Sequence, residues 1–341
     1  MLVSELREII KKYNVEDLKL IISEMYKSMP KKLREDKDID EMLKDVHAFM
    51  NIGKVEKSSS KQVNIIDLKR EIDQFIDFAY KQYYYAPNNY VHKKERPKWR
   101  FKVKAFIKDL QGIPLDGEDG QIATELLQKL YEMLSYACAY YIFNTEDPFR
   151  SVGIEQTLSI NIVLSRILGS GISKDSVKRA IELVINSRVD RETLPSYLIM
   201  ELINNLKTTD SKEIAIQQCI SVKAELKKPK QDERKKLWLS DSSDYQHIEK
   251  SNNLTEMVFR LNMSLNEYDE GIRYYNENCI DRDKEVTLYK LLGLLLEYEL
   301  KDHWLREYEL ALKRGVKPRE TLIKTQKYIV ENDKLPEYFI Y

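Results

Sequence analysis

The sequence predicts an all-α protein of stacked antiparallel helical hairpins, arranged as an α-solenoid-like array or an irregular helical bundle. Three observations lead there. Apolar residues recur at helical spacing in nearly every apolar segment of the 341 residues. Turn-forming residues are scarce, with 10 Gly and 9 Pro in the whole chain, too few for a many-stranded β fold. Short stretches that stop one helix and start another recur along the chain, which is how stacked helix pairs are joined.

The elements follow in order. The opening MLVSELREIIKKYN is amphipathic with mixed charge, and residues 1–50 read as a small N-terminal helical unit. In 64–85, Leu68, Ile72, Phe75, Ile76, Ala79 and Tyr83 share a helix face, with Asn64 as N-cap. In 99–110, Trp99, Phe101 and Val103 alternate with Arg100, Lys102 and Lys104 in the manner of a strand. The helical alternative accounts for more of the segment. Pro97 opens it, Trp99, Val103, Phe106, Ile107 and Leu110 form one stripe, and Arg100, Lys104 and Lys108 line up beside that stripe. Segment 121–143 starts amphipathic and becomes apolar nearly all round after Leu130, and TLSINIVLSRIL (157–168) is likewise apolar nearly all round. A helix without a polar face is buried on all sides, which makes these two the expected central helices. After Thr193, Leu194, Leu198, Leu202 and Leu206 repeat every four residues beside Ile199 and Ile203.

The joints GISKDSV (171–177), RVDRETL (188–194) and GVKPRETL (315–322) share one pattern. Gly171 and Gly315 suit the left-handed position after a helix, Ser173 and Asp190 suit an N-cap, and Pro318 suits a first helical turn. The stretch YELALKRGVKPRETLIKT (308–325) looks like the inter-repeat turn of tetratricopeptide or pentatricopeptide proteins. The full tetratricopeptide pattern of Trp, Gly, Tyr, Ala and Pro does not register on it, and no family is assigned.

Two polar stretches read as linkers. NIGKVEKSSSKQVN (51–64) lacks apolar periodicity, and the lysine-rich 227–253 has Leu237, Trp238 and Leu239 as its only strong apolar cluster. The expected organisation is therefore a unit over 1–50, a main helical domain over 64–226, a linker over 227–253 and a C-terminal helical domain over 254–341.

Lys and Arg number 56 against 56 Asp and Glu, so attraction to a polyanion has to come from a local patch. Cys138, Cys219 and Cys279 are far apart and odd in number, which reads as free thiols in a reducing cytoplasm. The longest near-apolar run, 131–143, is interrupted by Glu132 and Ser135 and falls short of the roughly 20 residues a membrane span needs. The expectation is a cytoplasmic protein with no membrane partner.

Motifs for local chemistry are missing. Gly53–Val55 lacks the upstream glycine and the Ser or Thr of a phosphate loop. DGEDG (116–120) and DRDKE (281–285) lack calcium-loop spacing and read as turns or caps. His47, His92, His247 and His303 are widely separated. Glu299, His303 and Glu307 share a helix face, where salt bridges to Lys301 or Arg306 are the plainer reading than a metal. No catalytic residue, metal ligand or cofactor is assigned.

The least ordinary stretch is AYKQYYYAPNNYVHKKERPKWRFKVKAFIKDL (79–110). Five tyrosines lie within Tyr80–Tyr90, and between Lys93 and Lys104 seven Lys or Arg stand against one Glu, a local net charge of +6. Lys93, Lys94, Arg96, Lys98, Arg100, Lys102, Lys104 and Lys108 are the candidate nucleic-acid-binding residues, with the tyrosines available to stack on bases. The plainer expectation is that the tyrosines pack inward and the lysines are solvated. The leading functional expectation is a non-enzymatic interaction or scaffold protein that takes a protein or peptide in a groove between helices. A protein that binds nucleic acid or another polyanion through 92–104 comes second, and an enzyme with a site assembled from distant residues third.

Overall fold

A computed structural model describes residues 8–30, 34, 39–44, 64–226, 240–281 and 283–341. Among them there is no strand, and the all-α class holds. The chain divides into two compact units, Met1–Asn64 and Ile65–Tyr341.

In the first unit, α1 spans Val15–Ser28 and α2 Ile39–Lys44. Asn14 caps α1 by accepting from the Asp17 amide, 2.8 Å. The Tyr26 hydroxyl donates to Asp40 Oδ1 at 2.6 Å and ties the two helices together. No residue of α1 is buried.

The second unit begins with α3 (Ile65–Tyr80), α4 (Trp99–Gln111) and α5 (Gly117–Ala137). The helical reading of 99–110 is the observed one. Trp99, Val103, Phe106, Ile107 and Leu110 are all buried, and period two gives way because burial of this stripe decides the conformation. Trp99 stacks on Phe143 at 3.9 Å, just past the end of α5, and Phe75 of α3 packs against Phe106, Tyr84 and Phe143. The start of α4 therefore sits beside the ends of α3 and α5. At the other end the turn before α5 crosses its helix so closely that a Cβ on Gly120 would lie 2.1 Å from the Leu115 carbonyl oxygen. Packing against backbone, not cation binding, explains that glycine of 116–120.

The next helices are α6 (Pro148–Val152), α7 (Gln156–Gly169), α8 (Lys174–Asn186), α9 (Pro195–Asn205), α10 (Thr209–Leu226) and α11 (Ser240–Ser264). Alternate helices pack on one another: α7 on α9 and α9 on α11 in one layer, α8 on α10 in the other. Ser173 caps α8 in a reciprocal capping box with Ser176, and Gly171 and Gly315 are left-handed as expected. Asp190 starts no helix. Its carboxylate accepts from the Glu192 and Thr193 amides within an extended segment, and α9 begins only at Pro195. Helix α7 is buried along one face, Gln156, Ser159, Ile160, Val163, Leu164 and Ile167, while Leu158 is exposed. Burial on all sides does not extend to it, because its neighbours cover only one side.

The chain ends with α12 (Tyr268–Asn278), α13 (Lys284–Glu297), α14 (Lys301–Lys313) and α15 (Glu320–Asn332) around Phe259, Leu292, Leu295, Trp304 and Leu322. Pro318 stands just before the first turn of α15, not in it.

Part of the expected linker, 240–253, is helical. Residues 240–253 are the first half of α11, which packs on α10 and α12, and Ile65–Tyr341 is one unit without a boundary at 226 or 254. Polar residues in 240–253 conceal the few that face inward, among them Ser251, which is buried. Residues 227–239, with Trp238, and 51–63 lie outside the described residues.

Because the Trp99 ring is buried against Phe143, Trp99→Ala should lower unfolding free energy by about 3–5 kcal/mol, read from denaturant melts followed by circular dichroism. An unchanged midpoint would mean that this stack does not hold α4 in place.

Candidate nucleic-acid interface

Helix α3 stops because Gln82 takes a left-handed backbone, φ 60°, and its side chain then donates to the Tyr141 carbonyl at 3.0 Å. The loop that follows is organised by Asn88. Its Nδ2 donates to the Tyr83 and Ala86 carbonyls at 2.7 and 2.8 Å, and its Oδ1 accepts from the Tyr90 and Val91 amides at 2.9 and 2.8 Å. Arg96 completes the clamp, with Nε donating to the Val91 carbonyl at 3.1 Å and a terminal nitrogen to that of Asn88 at 3.2 Å. A 3₁₀ turn over Arg96–Lys98 then delivers the chain into α4.

The eight sequence candidates separate on this scaffold. Arg96 is half-buried and engaged by the loop, so it serves the fold. Lys98 is exposed and pairs with Glu95 at 2.8 Å, a contact that holds the Glu95 carboxyl below its ordinary value. Lys93, Lys94, Arg100, Lys102, Lys104 and Lys108 are exposed and form no ion pair among the described residues. The Arg100 guanidinium lies over the Phe101 ring, 4.9 Å from its centroid. At helical spacing Arg100, Lys104 and Lys108 follow one flank of the buried stripe, and Lys102 falls on the opposite flank with Asp109. The first turn of α4 carries no acidic residue. The positive end of the helix dipole therefore adds to these cations and favours an anion there.

The tyrosines divide as well. Tyr84 is core, against Phe75 and Phe143. Tyr80, Tyr85 and Tyr90 are exposed. Tyr90 stacks on Tyr83 at 4.5 Å with ring planes 6° apart. Tyr85 pairs with Tyr141 at 6.0 Å, and Tyr136 stacks on Tyr140 at 4.3 Å with Tyr80 edge-on to it at 5.3 Å. Partial desolvation raises the Tyr80 phenol above its ordinary value, with Glu132 and Tyr136 adding to the effect. Tyr136, Tyr140 and Tyr141 were missed in the sequence because 121–143 reads as one buried helix. The helix ends at Ala137, and the chain beyond it turns outward through Tyr140 and Tyr141 before Ile142 and Phe143 return to the core.

Other candidates are accounted for locally. Glu307 accepts from Asn276 Nδ2 at 3.0 Å, His303 faces Asp269 at 3.7 Å, and Glu299 lies before α14 in a left-handed backbone. Asp283 caps α13, and Asp281 pairs with Lys290 at 3.0 Å. Among the described residues no three His, Cys, Asp or Glu converge on a metal position. Burial pushes the Cys138 thiol up to about 12 and the Cys219 thiol upward as well, which disfavours their thiolates. No described helix is long and apolar enough to cross a membrane. No protein-family model, curated protein or solved structure matches the chain.

Arg96→Ala should release the loop. Hydrogen exchange over residues 86–95 should speed up, while protection in α9, remote from the loop, stays as it was. Uniform protection across both regions would assign the clamp to Asn88 alone.

Proposed function

We propose that this is a non-enzymatic helical binding protein whose partner is a nucleic-acid strand, held through its phosphates on the basic flank of α4. The observation that carries the proposal is that Arg100, Lys104 and Lys108, aligned on one exposed flank of α4, form no ion pair among the described residues, in a chain whose net charge is zero. Several other lysines do have carboxylate partners, as in Lys81–Asp77, Lys129–Asp73, Lys178–Glu225 and Lys301–Asp333. Lys93 and Lys94 precede the 3₁₀ turn that leads into α4 and form no ion pair among the described residues. Like charges held together repel, and a phosphate backbone relieves that repulsion while releasing its own counterions. Three unbridged cysteines fit a reducing, cytoplasmic setting.

A protein partner is the second reading. It is favoured by the exposed apolar residues Val15, Leu20, Ile22 and Met25 of α1. Replacing Leu20 and Ile22 with Ser should then abolish association with that partner and leave nucleic-acid binding intact.

Fluorescence anisotropy with a labelled oligonucleotide tests the first reading. If about five phosphates are neutralised, affinity should fall about 100-fold between 50 and 200 mM salt. The triple change Arg100→Glu, Lys104→Glu and Lys108→Glu should abolish binding with helicity unchanged, because none of the three side chains is buried. Absence of wild-type binding to DNA, RNA and heparin at low ionic strength overturns the proposal.

A further inference from the structure

We infer that the tyrosine-bearing end of the helices selects single strands: unpaired bases stack on the Tyr83–Tyr90, Tyr85–Tyr141 and Tyr136–Tyr140 pairs, and Arg188 receives a phosphate in the adjoining cleft. The inference rests on the nucleic-acid reading and names the class of strand.

Topology brings the parts together. The ends of α3 and α5 and the start of α4 share one end of the bundle, fixed by the Trp99–Phe143 stack and by the Gln82 bond to Tyr141. Tyr85, Tyr90, Tyr140 and Tyr141 are 44–68 % exposed, although each ring is already stacked on a neighbour and so loses little freedom on taking a base. Large apolar rings held face to face in water at the end of the bundle where the basic helix α4 starts match the two needs of a single strand, a charged track for phosphates and π faces for bases. A duplex offers the same phosphates but keeps its base faces stacked inside, so it can use only the charged track.

The cleft beside Tyr80, Tyr136 and Tyr140 has a volume of about 480 Å³, and Arg179 and Arg188 also line it. Arg179 is engaged, donating to Gln128 Oε1 at 2.6 Å. Arg188 is different. Its amide donates to Ser135 Oγ at 2.7 Å, and its carbonyl accepts from the fully buried Gln156 Nε2 at 2.8 Å. Gln156 Oε1 in turn accepts from the Asp190 amide at 2.8 Å. Two buried side chains thus fix the backbone on both sides of Arg188, while its guanidinium forms no hydrogen bond or ion pair among the described residues. Glu132 and Glu182, which line the same cleft, are acceptors for base amino groups and repel phosphate. Arg188 is therefore the group left for it.

The test uses the full chain and three labelled probes of equal length: single-stranded oligothymidylate, a duplex, and an abasic oligonucleotide with the same phosphates but no bases. Wild type should bind oligothymidylate more tightly than either other probe, by about 5- to 150-fold per stacked base. Tyr136→Ala with Tyr140→Ala should bring oligothymidylate down toward the abasic level and leave abasic binding unchanged, and the matching Phe changes should restore affinity. Tyr90→Ala, at the most exposed of these rings, provides the same reading if the double variant fails to fold. Arg188→Glu should weaken oligothymidylate binding with helicity retained. Equal wild-type affinity for oligothymidylate and the abasic probe, with the charge-reversed α4 variant still unable to bind, overturns the base-stacking inference and leaves the phosphate-binding proposal standing. No wild-type binding to any probe overturns both.

Discussion

The Trp99–Phe143 stack, 3.9 Å between ring centres and nearly parallel, is the contact on which the rest of this region depends. It joins the first residue of α4 to the chain just beyond α5, and Phe75 of α3 closes against the same Phe143. Aromatic pairs of this kind add to the burial of their own surface. Their more important effect here is orientation. With Trp99, Val103, Phe106 and Leu110 turned inward, Arg100, Lys104 and Lys108 have no choice but to face water. The same stack keeps the tail of α5 at the level of the tyrosine-rich loop.

A second constraint lies far from this end. Arg260 of α11 is buried, and burial works against its charge, yet Glu297 and Glu256 more than offset that and hold it firmly protonated. Glu297 comes from α13, and Met200 of α9 touches the same guanidinium. One side chain thus links three helices, from both sides of the boundary that polarity suggested near residue 254. A buried pair of this sort is weak as a source of stability and costly to break from one side. Together with the packing of α11 on α10 and α12, it helps explain why Ile65–Tyr341 is a single unit.

The all-α class and most of the faces of α3, α4 and α9 were legible in the sequence because burial of a stripe at helical spacing is a local property; Leu194 is the exception, since it stands exposed ahead of α9 and outside the face spacing assigned to it. Trp99, Val103, Phe106, Ile107 and Leu110 are all buried where spacing puts them. What spacing cannot show is where a helix stops against its neighbours. Asp190 looks like a cap and instead holds an extended turn. Residues 240–253 look like a linker because the polar side chains of a helix that is partly solvated outnumber the few that pack. The candidate basic residues were all visible as charge, but their separation was not. Arg96 leaves the set through carbonyls at positions 88 and 91, Lys98 through Glu95, and Lys102 through its position around the helix. Tyr136, Tyr140 and Arg188 come from elsewhere in the chain, and only three-dimensional proximity marks them.

Helix α4 keeps its buried stripe and its charged flank on separate sides of 13 residues. The inner side answers to volume and shape, where one methylene too many or too few is felt. The outer flank answers only to sign of charge, and Lys or Arg serves there at similar cost to the helix. Substitutions can therefore accumulate at positions 100, 104 and 108 without passing through an unstable intermediate. Over evolutionary time such a helix can gain, retune or discard an electrostatic partner while its architecture stays as it is.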